Sequence, residues 1–351
     1  MSDAVGSGQV TVVLSAYNGG RYIAEQIESI RGQSLTGWNL VVRDDGSRDD
    51  TVNVVKGLIA RDPRISLMDD AHGNLGPWAS FGKLLSHACD RGADYVFISD
   101  QDDVWLPTKM EQQLNLLRET ARSGGGETPA LVHSDLEVVD GDLRPLHPSF
   151  SAFQRMSYST KDPLRTLLIH NAIAGCTVAL NRPLLEAALP LPAGCLHDWW
   201  VALCAAGWGT IRCTPAATVR YRQHASNVIG AGSRHAFLGT LVRHPLAYTA
   251  SSFREFGIGV EQAVSLRDRM RSLGVADAAR LKRVEHYCNA FSEDQPWFAR
   301  LRALRKSGAR PQRVVSRVLM QAIVAAYPTV STLLKRSASP TSAKSIRSGV
   351  R

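Results

Sequence analysis

The chain has 351 residues, 44% of them hydrophobic, and a formal net charge of +9. This length and composition are typical of one large globular α/β domain with an appendage, or of two domains. Its six cysteines include no Cys-x-x-Cys pair, which argues against a zinc site or a disulfide framework and favours reduced thiols in a cytosolic protein.

The first 140 residues alternate between predicted strands and helices. Apolar, β-branched runs predict strands at 10–16, 40–43, 65–68, 95–99 and 130–134. Helical spacing of apolar residues predicts helices at 22–31, 51–61, 78–91 and 106–120. Such alternation predicts a mostly parallel sheet with helices on both faces, and ligands of such sheets bind at the carboxyl ends of the strands.

Beyond residue 140 this regular alternation fades. We interpret residues 150–170 as an inserted segment, 172–180 as a strand and 199–206 as a short helix. From residue 233 onward the pattern is helical, without an internal repeat. We therefore expect an α/β domain at 1–232 and a mainly helical region at 233–351.

Three carboxylates, Asp100, Asp102 and Asp103, directly follow the buried strand predicted at 95–99. So much negative charge at one strand end is unfavourable unless a cation or several hydrogen-bond donors compensate it. Oxygen ligands of this kind suit Mg²⁺ or Mn²⁺, which share their coordination shell with substrate phosphates. The alternative is a solvated acidic loop that caps the next helix.

A second acidic pair, Asp44 and Asp45, ends the strand predicted at 40–43 and precedes Gly46. The turn and the cap of the following helix need Gly46 and either Asp49 or Asp50, but not this pair. A carboxylate at the strand end can accept a hydrogen bond from a nucleotide base. The chain has neither a dinucleotide-binding fingerprint nor a P-loop.

Four motifs follow one another in the first 105 residues: SAYNG at 15–19, DDGSRDDT at 44–51, GNLG at 73–76 and SDQDDVW at 99–105. In this order and spacing they resemble family 2 glycosyltransferases, and the match looks closest to the rhamnosyltransferase-like branch that builds bacterial surface polysaccharides. The resemblance spans roughly residues 9–230. It implies the GT-A fold, which is Rossmann-like, with a nucleotide-diphosphate sugar as donor; a C-terminal helical extension would follow.

The resemblance also implies roles for individual positions. The expected donor-binding residues are Ser15, Ala16, Tyr17, Asn18, Asp44, Asp45, Asn74, Gly76, Asp100, Arg222 and His224. Asp102 is expected to bind Mg²⁺ or Mn²⁺ directly, with Asp100 on the ribose or a metal-bound water and His224 as a further ligand. Arg222, in the segment 221–227, suits bidentate phosphate contacts. For Asn74 the alternative is a turn residue, and for His224 a polar surface residue.

The catalytic base implied by the resemblance is Asp198, in the segment His197-Asp-Trp-Trp. In the structural alternative Asp198 is an N-cap and the two tryptophans begin a buried helix. The family commonly has an acidic residue where this chain has His197. Asp135 and Glu137, which follow the strand predicted at 130–134, remain alternative bases.

Together these features predict an inverting glycosyltransferase of surface polysaccharide or O-antigen synthesis, with rhamnose from dTDP-rhamnose as the first donor to consider. Galactose, glucose or N-acetylglucosamine from UDP carriers stay open, and the expected acceptor is a glycan, free or lipid-linked. Two other classes are weighed: a metal-dependent nucleotidyltransferase, and a non-catalytic module that binds sugar nucleotides or glycans.

The positive charge is concentrated at the C-terminus. Residues 301–351 hold eleven Lys/Arg and no acidic residue, so residues 1–300 sum to −2, that is, 9 − 11. This asymmetry predicts an anionic partner for the tail. Since residues 1–9 predict no signal peptide, we expect a cytoplasmic enzyme held peripherally at the inner face of a bacterial membrane.

Residues 314–334 are too interrupted by polar residues to predict a membrane-spanning helix. An interfacial amphipathic helix is one interpretation, and a terminal helix packed on the protein, followed by an end without fixed structure, is the other. Nucleic-acid binding is disfavoured because aromatic residues do not alternate with the basic residues of the tail.

Overall fold

The computed structural model describes residues 8–70, 72–123, 128–154, 161–214, 216–224, 245–274, 277–311 and 314–327. The predicted boundary near residue 232, Asn227 and the basic segment 328–351 lie outside the described residues. The chain divides into two compact units: Met1–Thr160 with Asn171–Ala231, and Lys161–His170 with Gly232–Arg351. Part of the segment interpreted as an insertion, 161–170, thus groups with the second unit.

The described strands all belong to the first unit. They are β1 (Val10–Ala16), β2 (Asn39–Asp44), β3 (Ile65–Leu67), β4 (Tyr95–Ser99), β5 (Val104–Trp105), β6 (Ala130–His133), β7 (Leu136–Val139), β8 (Pro145–His147), β9 (Ala179–Asn181), β10 (Thr210–Cys213) and β11 (Val219–Arg222). Seven of them form the central sheet in the order β10-β6-β9-β4-β1-β2-β3. Only β9 runs antiparallel to its neighbours in this sheet.

The helices alternate with these strands and then follow them. They are α1 (Ile23–Arg31), α2 (Thr51–Ile59), α3 (Pro77–Asp90), α4 (Lys109–Ser123), α5 (Phe150–Gln154), α6 (Leu164–Leu167), α7 (Arg182–Ala188), α8 (His197–Trp208), α9 (Pro245–Leu273), α10 (Ala278–Ala290), α11 (Trp297–Ser307) and α12 (Val314–Ala325).

The core lies on both faces of the central sheet because successive side chains of a strand point to opposite faces. On one face Val12 and Leu14 of β1 pack in a cluster with Ile27 of α1 and Val55 of α2. Helix α3 packs against β1 with Leu84 fully buried. The predicted mostly parallel sheet with helices on both faces is therefore confirmed.

A smaller sheet, in the order β5-β11-β7-β8, lies beyond the predicted alternation. In this sheet β11 runs antiparallel to β5 and parallel to β7. The strands are only two to four residues long, so their patterns are too short to predict. Pairing with β5 brings the end of β11 next to the acidic segment that precedes β5.

The strand predicted at 172–180 is mostly wrong. The structure has a 3-10 turn at Gly175–Thr177 and only the short antiparallel strand β9. A Cβ on Gly175 would lie 3.2 Å from Cβ of Asp198, so this turn passes close to α8. The local apolar pattern does not encode that tertiary approach.

In the second unit, the described helix α12 packs on α11. The buried guanidinium of Arg300 donates from Nε to the Val324 carbonyl at 2.9 Å, and so satisfies a backbone group at the C-terminal end of α12. In the described part of the chain, no helix combines the length and hydropathy needed to cross a bilayer.

Candidate functional site

The site lies where the central strands end. Register pairs Ala16 of β1 with Asp44 of β2, and Leu14 of β1 with Ser99 of β4. Both pairings are parallel, so the loops that follow these strands emerge side by side. The amide of Asp45 donates to the Ala16 carbonyl at 2.7 Å and continues the pairing beyond the strand end.

Side chains then join the three loops. The Asn18 amide donates to Ser47 Oγ at 2.9 Å, and the Arg48 amide donates to Asn18 Oδ1 at 2.8 Å. Gln101 accepts from the Tyr17 amide at 2.9 Å and donates to the Tyr17 carbonyl at 3.1 Å. These contacts fix the Tyr17 backbone, while 47% of its side chain stays exposed.

Asp45 is a structural residue of the loop that carries the GNLG motif. Its carboxylate is 2% exposed and accepts from Arg43, and from the amides of Leu75 and Gly76 at 2.8 Å each. Both oxygens are therefore occupied. These contacts give Asp45 a structural role, and its expected contact with the donor stays a prediction.

Asp44 differs from its neighbour. Its Oδ2 accepts from the amides of Gly46 at 3.1 Å and Ser47 at 3.0 Å, whereas its Oδ1 is buried with no partner among the described residues. An unsatisfied buried acceptor costs about 1–3 kcal/mol. Such groups in native proteins call for a bound water, ion or ligand. The structure thus separates two carboxylates that the sequence left as alternatives.

Arg43 holds the loop from residue 70 to 76 and was not predicted. Its fully buried guanidinium donates to Asp70 at 2.7 Å, to Ser80 at 3.0 Å and to the Gly73 carbonyl at 3.2 Å. Ser80 in turn lies 2.6 Å from Ser15, an expected donor-binding residue. From the sequence alone, an arginine within a strand is expected to be exposed to solvent. Only the fold shows that Arg43 anchors this loop.

The remaining residues of this loop follow from that anchor. The exposed Asn74 donates from Nδ2 to the Asp45 carbonyl at 2.9 Å, which is the turn-stabilising alternative for this residue. Gly76 has a φ of 81° directly before α3, a conformation that favours glycine. These two residues therefore shape the edge of the site through the backbone.

A buried acidic group lies beside β4. Ligand atoms of Asp100, Asp103 and Cys176 lie within 4.8 Å of one another. Burial, followed by the charges of Asp102 and Asp198, raises the pKa of Asp100 to about 7. Burial, followed by the charges of Asp102 and Asp100, raises the pKa of Asp103 well above its usual range. This concentration of negative charge favours a cation or protons.

The side chains of Asp102 and His224, both predicted metal ligands, lie next to each other. Their side chains approach to 2.9 Å, and both are more than four-fifths buried. Burial raises the pKa of Asp102, while the charge and hydrogen bond of His224 oppose that rise. The His224 ring stacks on Tyr22 with centroids 4.8 Å apart, which fixes the imidazole at the acidic edge.

The side chain of Arg222 is buried among several hydrogen-bond acceptors. Its side chain is 2% exposed and donates to the Asp102 carbonyl at 2.8 Å, to the Gly141 carbonyl and to Glu25. The guanidinium also covers the Tyr22 ring, 4.5 Å from its centroid. These contacts give Arg222 a structural role, because they hold the acidic loop in place; its expected phosphate-binding role stays a prediction.

Asp198 is the second residue of α8, not its N-cap. Its Oδ1 accepts from the Trp199 amide at 2.7 Å, and its Oδ2 accepts from Asn171 Nδ2 at 2.9 Å. The carboxylate is half-buried and near enough to Asp100 for its charge to raise the pKa of that residue. Trp199 and Trp200 are fully buried, as the structural interpretation of this segment expected.

His197 and Asn171 flank this carboxylate. The His197 ring is buried against Phe81, with centroids 4.0 Å apart, and both ring nitrogens lack a partner among the described residues. Burial lowers the pKa of His197, which favours the neutral imidazole. Asn171 could not be predicted, because it is 27 residues away from Asp198 in a segment without regular structure.

The alternative bases are engaged elsewhere. Asp135 accepts from the hydroxyls of Ser149 and Ser151, and Glu137 pairs with Arg220 at 3.2 Å. Asp135 thus closes its own loop, and Glu137 contacts a residue of the smaller sheet. The arrangement favours Asp198 as the carboxylate beside the acidic cluster.

Comparison with known proteins now places this site in a family. The family model described as "Glycosyl transferase family 2" matches residues 11–184. The chain belongs to that family. The matched region contains β1 to β4, their loops and the acidic cluster, but ends before Asp198.

Two curated relatives illustrate the likeness. "UDP-Glc:alpha-D-GlcNAc-diphosphoundecaprenol beta-1,3-glucosyltransferase WfgD" of Escherichia coli is 27% identical over 178 residues, 50% of this chain and 62% of that protein. "dTDP-rhamnosyl transferase RfbG" of Shigella flexneri is 25% identical over 237 residues, 62% of this chain and 74% of that protein. The match to three further relatives spans 49%, 66% and 54% of the length of those proteins.

Solved structures agree on the fold. The "Mannosyltransferase PcManGT from Pyrobaculum calidifontis in complex with GDP-Man and Mn2+" superimposes with a TM-score of 0.52 at 17% identity. The match covers 94% of this chain and 84% of that one. The predicted GT-A fold with a helical C-terminal region is therefore confirmed.

Proposed function

We propose that this protein is an inverting glycosyltransferase that moves a sugar from a nucleotide diphosphate to a hydroxyl of a glycan. The observation that carries the proposal is that four carboxylates at one sheet edge have different surroundings. Asp44 keeps a free acceptor oxygen, Asp100 and Asp102 concentrate negative charge, and Asp198 is held apart on a helix.

The donor would bind along the loops after β1, β2 and β4. Oδ1 of Asp44 suits a base N–H, and the exposed Tyr17 ring suits stacking on the base or ribose. The unpartnered oxygen supports a polar ligand at that point, since its burial is unfavourable otherwise. Asn74 and Gly76 would bound the pocket, mainly through the backbone.

The donor set fits a divalent cation. Carboxylates of Asp100 and Asp102 and the imidazole of His224 suit Mn²⁺ or Mg²⁺, and their burial leaves negative charge that needs compensation. When bound, such an ion would neutralise charge that builds on the departing diphosphate. The Mn²⁺ named with the Pyrobaculum enzyme is consistent with this assignment.

The chemistry assigned to the chain's own residues is acid–base catalysis. Asp198 would accept the proton of the acceptor hydroxyl, whose oxygen forms a bond to the anomeric carbon as the bond to the diphosphate breaks. Attack from the face opposite the leaving group inverts the anomeric configuration. Asn171 would hold the Asp198 carboxylate in the orientation that accepts the proton.

Rhamnose from dTDP-rhamnose is the first donor to test, because one relative is named a dTDP-rhamnosyl transferase. The name of another specifies UDP-Glc and a diphosphoundecaprenol-linked sugar. A glycan on a lipid carrier is accordingly our proposed acceptor. The basic tail, residues 301–351, would then keep the enzyme at the membrane's cytoplasmic face.

The test is a thermal-shift screen of the purified chain with dTDP-, UDP- and GDP-sugars, with and without Mn²⁺. A ligand at one hundred times its Kd stabilises the native state by about 2.7 kcal/mol. We expect a metal-dependent shift with one nucleotide class, and release of a nucleoside diphosphate with acceptor present. Release of pyrophosphate would instead indicate a nucleotidyltransferase, and binding without turnover a non-catalytic module.

A further inference from the structure

Two large aromatic side chains are exposed at the start of α11. Trp297 is 59% exposed and Phe298 is 62% exposed, and their ring centroids lie 6.0 Å apart in an edge-to-face arrangement. They stand directly after the turn that ends at Pro296. Two neighbouring aromatic rings in water need an explanation, since single exposed apolar residues are ordinary but clusters mark interaction surfaces.

The rest of the helix shows which surface the rings belong to. Arg300, Leu304 and Ser307 are buried, and their spacing of four and three residues defines the face of α11 that packs inside its unit. The opposite face runs from Phe298 into exposed cations, Arg302, Arg305 and Lys306, while Trp297 stands beside Phe298 in the first turn of the helix. Phe298, Arg302 and Arg305 follow the same helical spacing, so they form one stripe.

Charge identifies the kind of partner. Residues 301–351 contain eleven Lys/Arg and no acidic residue, so the stripe belongs to a uniformly cationic stretch of sequence. Two exposed carboxylates, Glu293 and Asp294, precede the aromatic pair and lie outside the helix. The aromatic end of the stripe thus lies between a short acidic turn and an extended basic region.

We propose that Trp297, Phe298 and the cationic stripe of α11 form a docking surface for an anionic lipid bilayer. Amphipathic aromatic rings settle at the headgroup level of membranes, and nearby Lys and Arg side chains bind lipid phosphates. The cations alone would also suit a nucleic acid or an acidic protein, and the paired rings beside them favour the headgroup layer of a bilayer. The proposal rests on the membrane contact that the proposed function gives to residues 301–351, and it is tested without sugar substrates, so its failure leaves the transferase activity untouched.

The experiment is co-sedimentation of the full chain with vesicles of phosphatidylcholine alone or mixed with phosphatidylglycerol. We expect binding only to the anionic vesicles, weakened by salt. Trp297→Ala/Phe298→Ala should lower the partition coefficient at least about tenfold, because burial of two aromatic rings is lost. Arg302→Glu/Arg305→Glu should lower it by more than about 25-fold, since each engaged cation contributes about fivefold.

Matched controls separate this surface from general charge and apolarity. Lys56→Glu/Arg61→Glu makes the same change of charge at exposed positions of the first unit, and Leu146→Ala removes an exposed apolar side chain there. Both should leave binding within about twofold of the unmodified chain.

A further variant tests whether weaker binding by the double alanine variant could result from loss of folding. Trp297→Phe/Phe298→Trp keeps both rings and should retain binding, whereas the double alanine variant should not. The proposal is overturned if the unmodified chain fails to bind anionic vesicles, or if the aromatic variant binds as well as the unmodified chain. The second result would assign any lipid contact to the cations of the chain and not to the paired rings.

Discussion

Asn171 donates from Nδ2 to Oδ2 of Asp198 at 2.9 Å, while its own Oδ1 accepts from the Ile173 amide at 3.2 Å. The amide is thus fixed on one side by the backbone and presents its donor to the carboxylate on the other. Asp198 is held from the second side by the Trp199 amide. The carboxylate that we propose as the catalytic base is therefore oriented before any acceptor binds.

Replacing either residue of this pair should affect turnover more than donor binding. Asp198→Asn should lower kcat about 10²–10⁴-fold, the usual contribution of a positioned acid–base group. Asn171→Ala should lower it roughly 10- to 100-fold, since the base remains but its orientation is lost. Asn115→Ala, at an exposed position of α4, is the matched control. Near-normal turnover by Asp198→Asn would remove this residue from the mechanism.

The two neighbouring aspartates of β2 should behave differently. Asp44→Asn should weaken nucleotide-sugar binding about tenfold with little change in stability, because it converts a spare acceptor into a donor. Asp45→Asn should lower stability by about 1.5–3 kcal/mol, because three donors lose a charged partner. Calorimetric titration and urea unfolding separate these effects. Equal effects of both variants on binding would contradict the assignment.

Metal dependence can be tested at Asp102. Asp102→Ala should abolish the Mn²⁺-dependent part of the thermal shift produced by the nucleotide sugar, because a proposed ligand is lost. Asp90→Ala removes an exposed carboxylate at the last residue of α3, before β4 begins, and should leave that shift intact. A shift that persists unchanged in Asp102→Ala excludes a direct ligand role for this residue.

The sequence predicted the sheet edge well because its signals are local. A strand that ends at a carboxylate, as β4 ends at Ser99 before Asp100, combines a buried apolar run with a charge that a core does not tolerate. Parallel pairing then brings the ends of such strands together. The sequence could not distinguish Asp44 from Asp45, since both follow the same strand. They differ because Asp45, and not Asp44, accepts from the amides of Leu75 and Gly76, which lie in a loop about thirty residues later in the chain.

Other parts of the site could not be predicted from local sequence patterns for a similar reason. Arg43, Asn171 and Cys176 acquire their roles through contacts with residues far away in sequence. Arg222 shows a second limit of sequence reasoning, because an arginine near a motif suggests phosphate binding. Only the fold shows that Glu25 and two backbone carbonyls already bind its guanidinium.

This structural role of Arg222 predicts a stability defect. Arg222→Met should lower the free energy of unfolding by about 2–4 kcal/mol, because buried carbonyls lose a charged donor. Arg220→Met, a neighbour on β11 whose side chain is 44% exposed, should lower it by less than about 1 kcal/mol. Urea unfolding measures both. Unchanged stability in Arg222→Met, with weakened donor binding, would support the phosphate-binding role.

The ion pair of Asp70 with buried Arg43 makes the stability of the site depend on pH. The hydrogen bond from Arg43 holds the pKa of Asp70 below its usual value of about 3.8. Because the folded-state pKa lies below the unfolded one, the pair stabilises the fold above about pH 4, and this contribution is lost as the pH falls toward the folded-state value. Asp70→Asn should therefore cost about 1.5–3 kcal/mol at pH 7.

The same variant should cost progressively less as the pH is lowered from 5 toward 3, because protonation then removes the charge of Asp70 in the unmodified chain as well. Asp90→Asn, at an exposed position of α3, should change stability little at any of these pH values. Urea unfolding at several pH values measures the difference. A cost of Asp70→Asn that is independent of pH would mean that packing of the 70–76 loop, and not the charge of Asp70, stabilises this edge of the site.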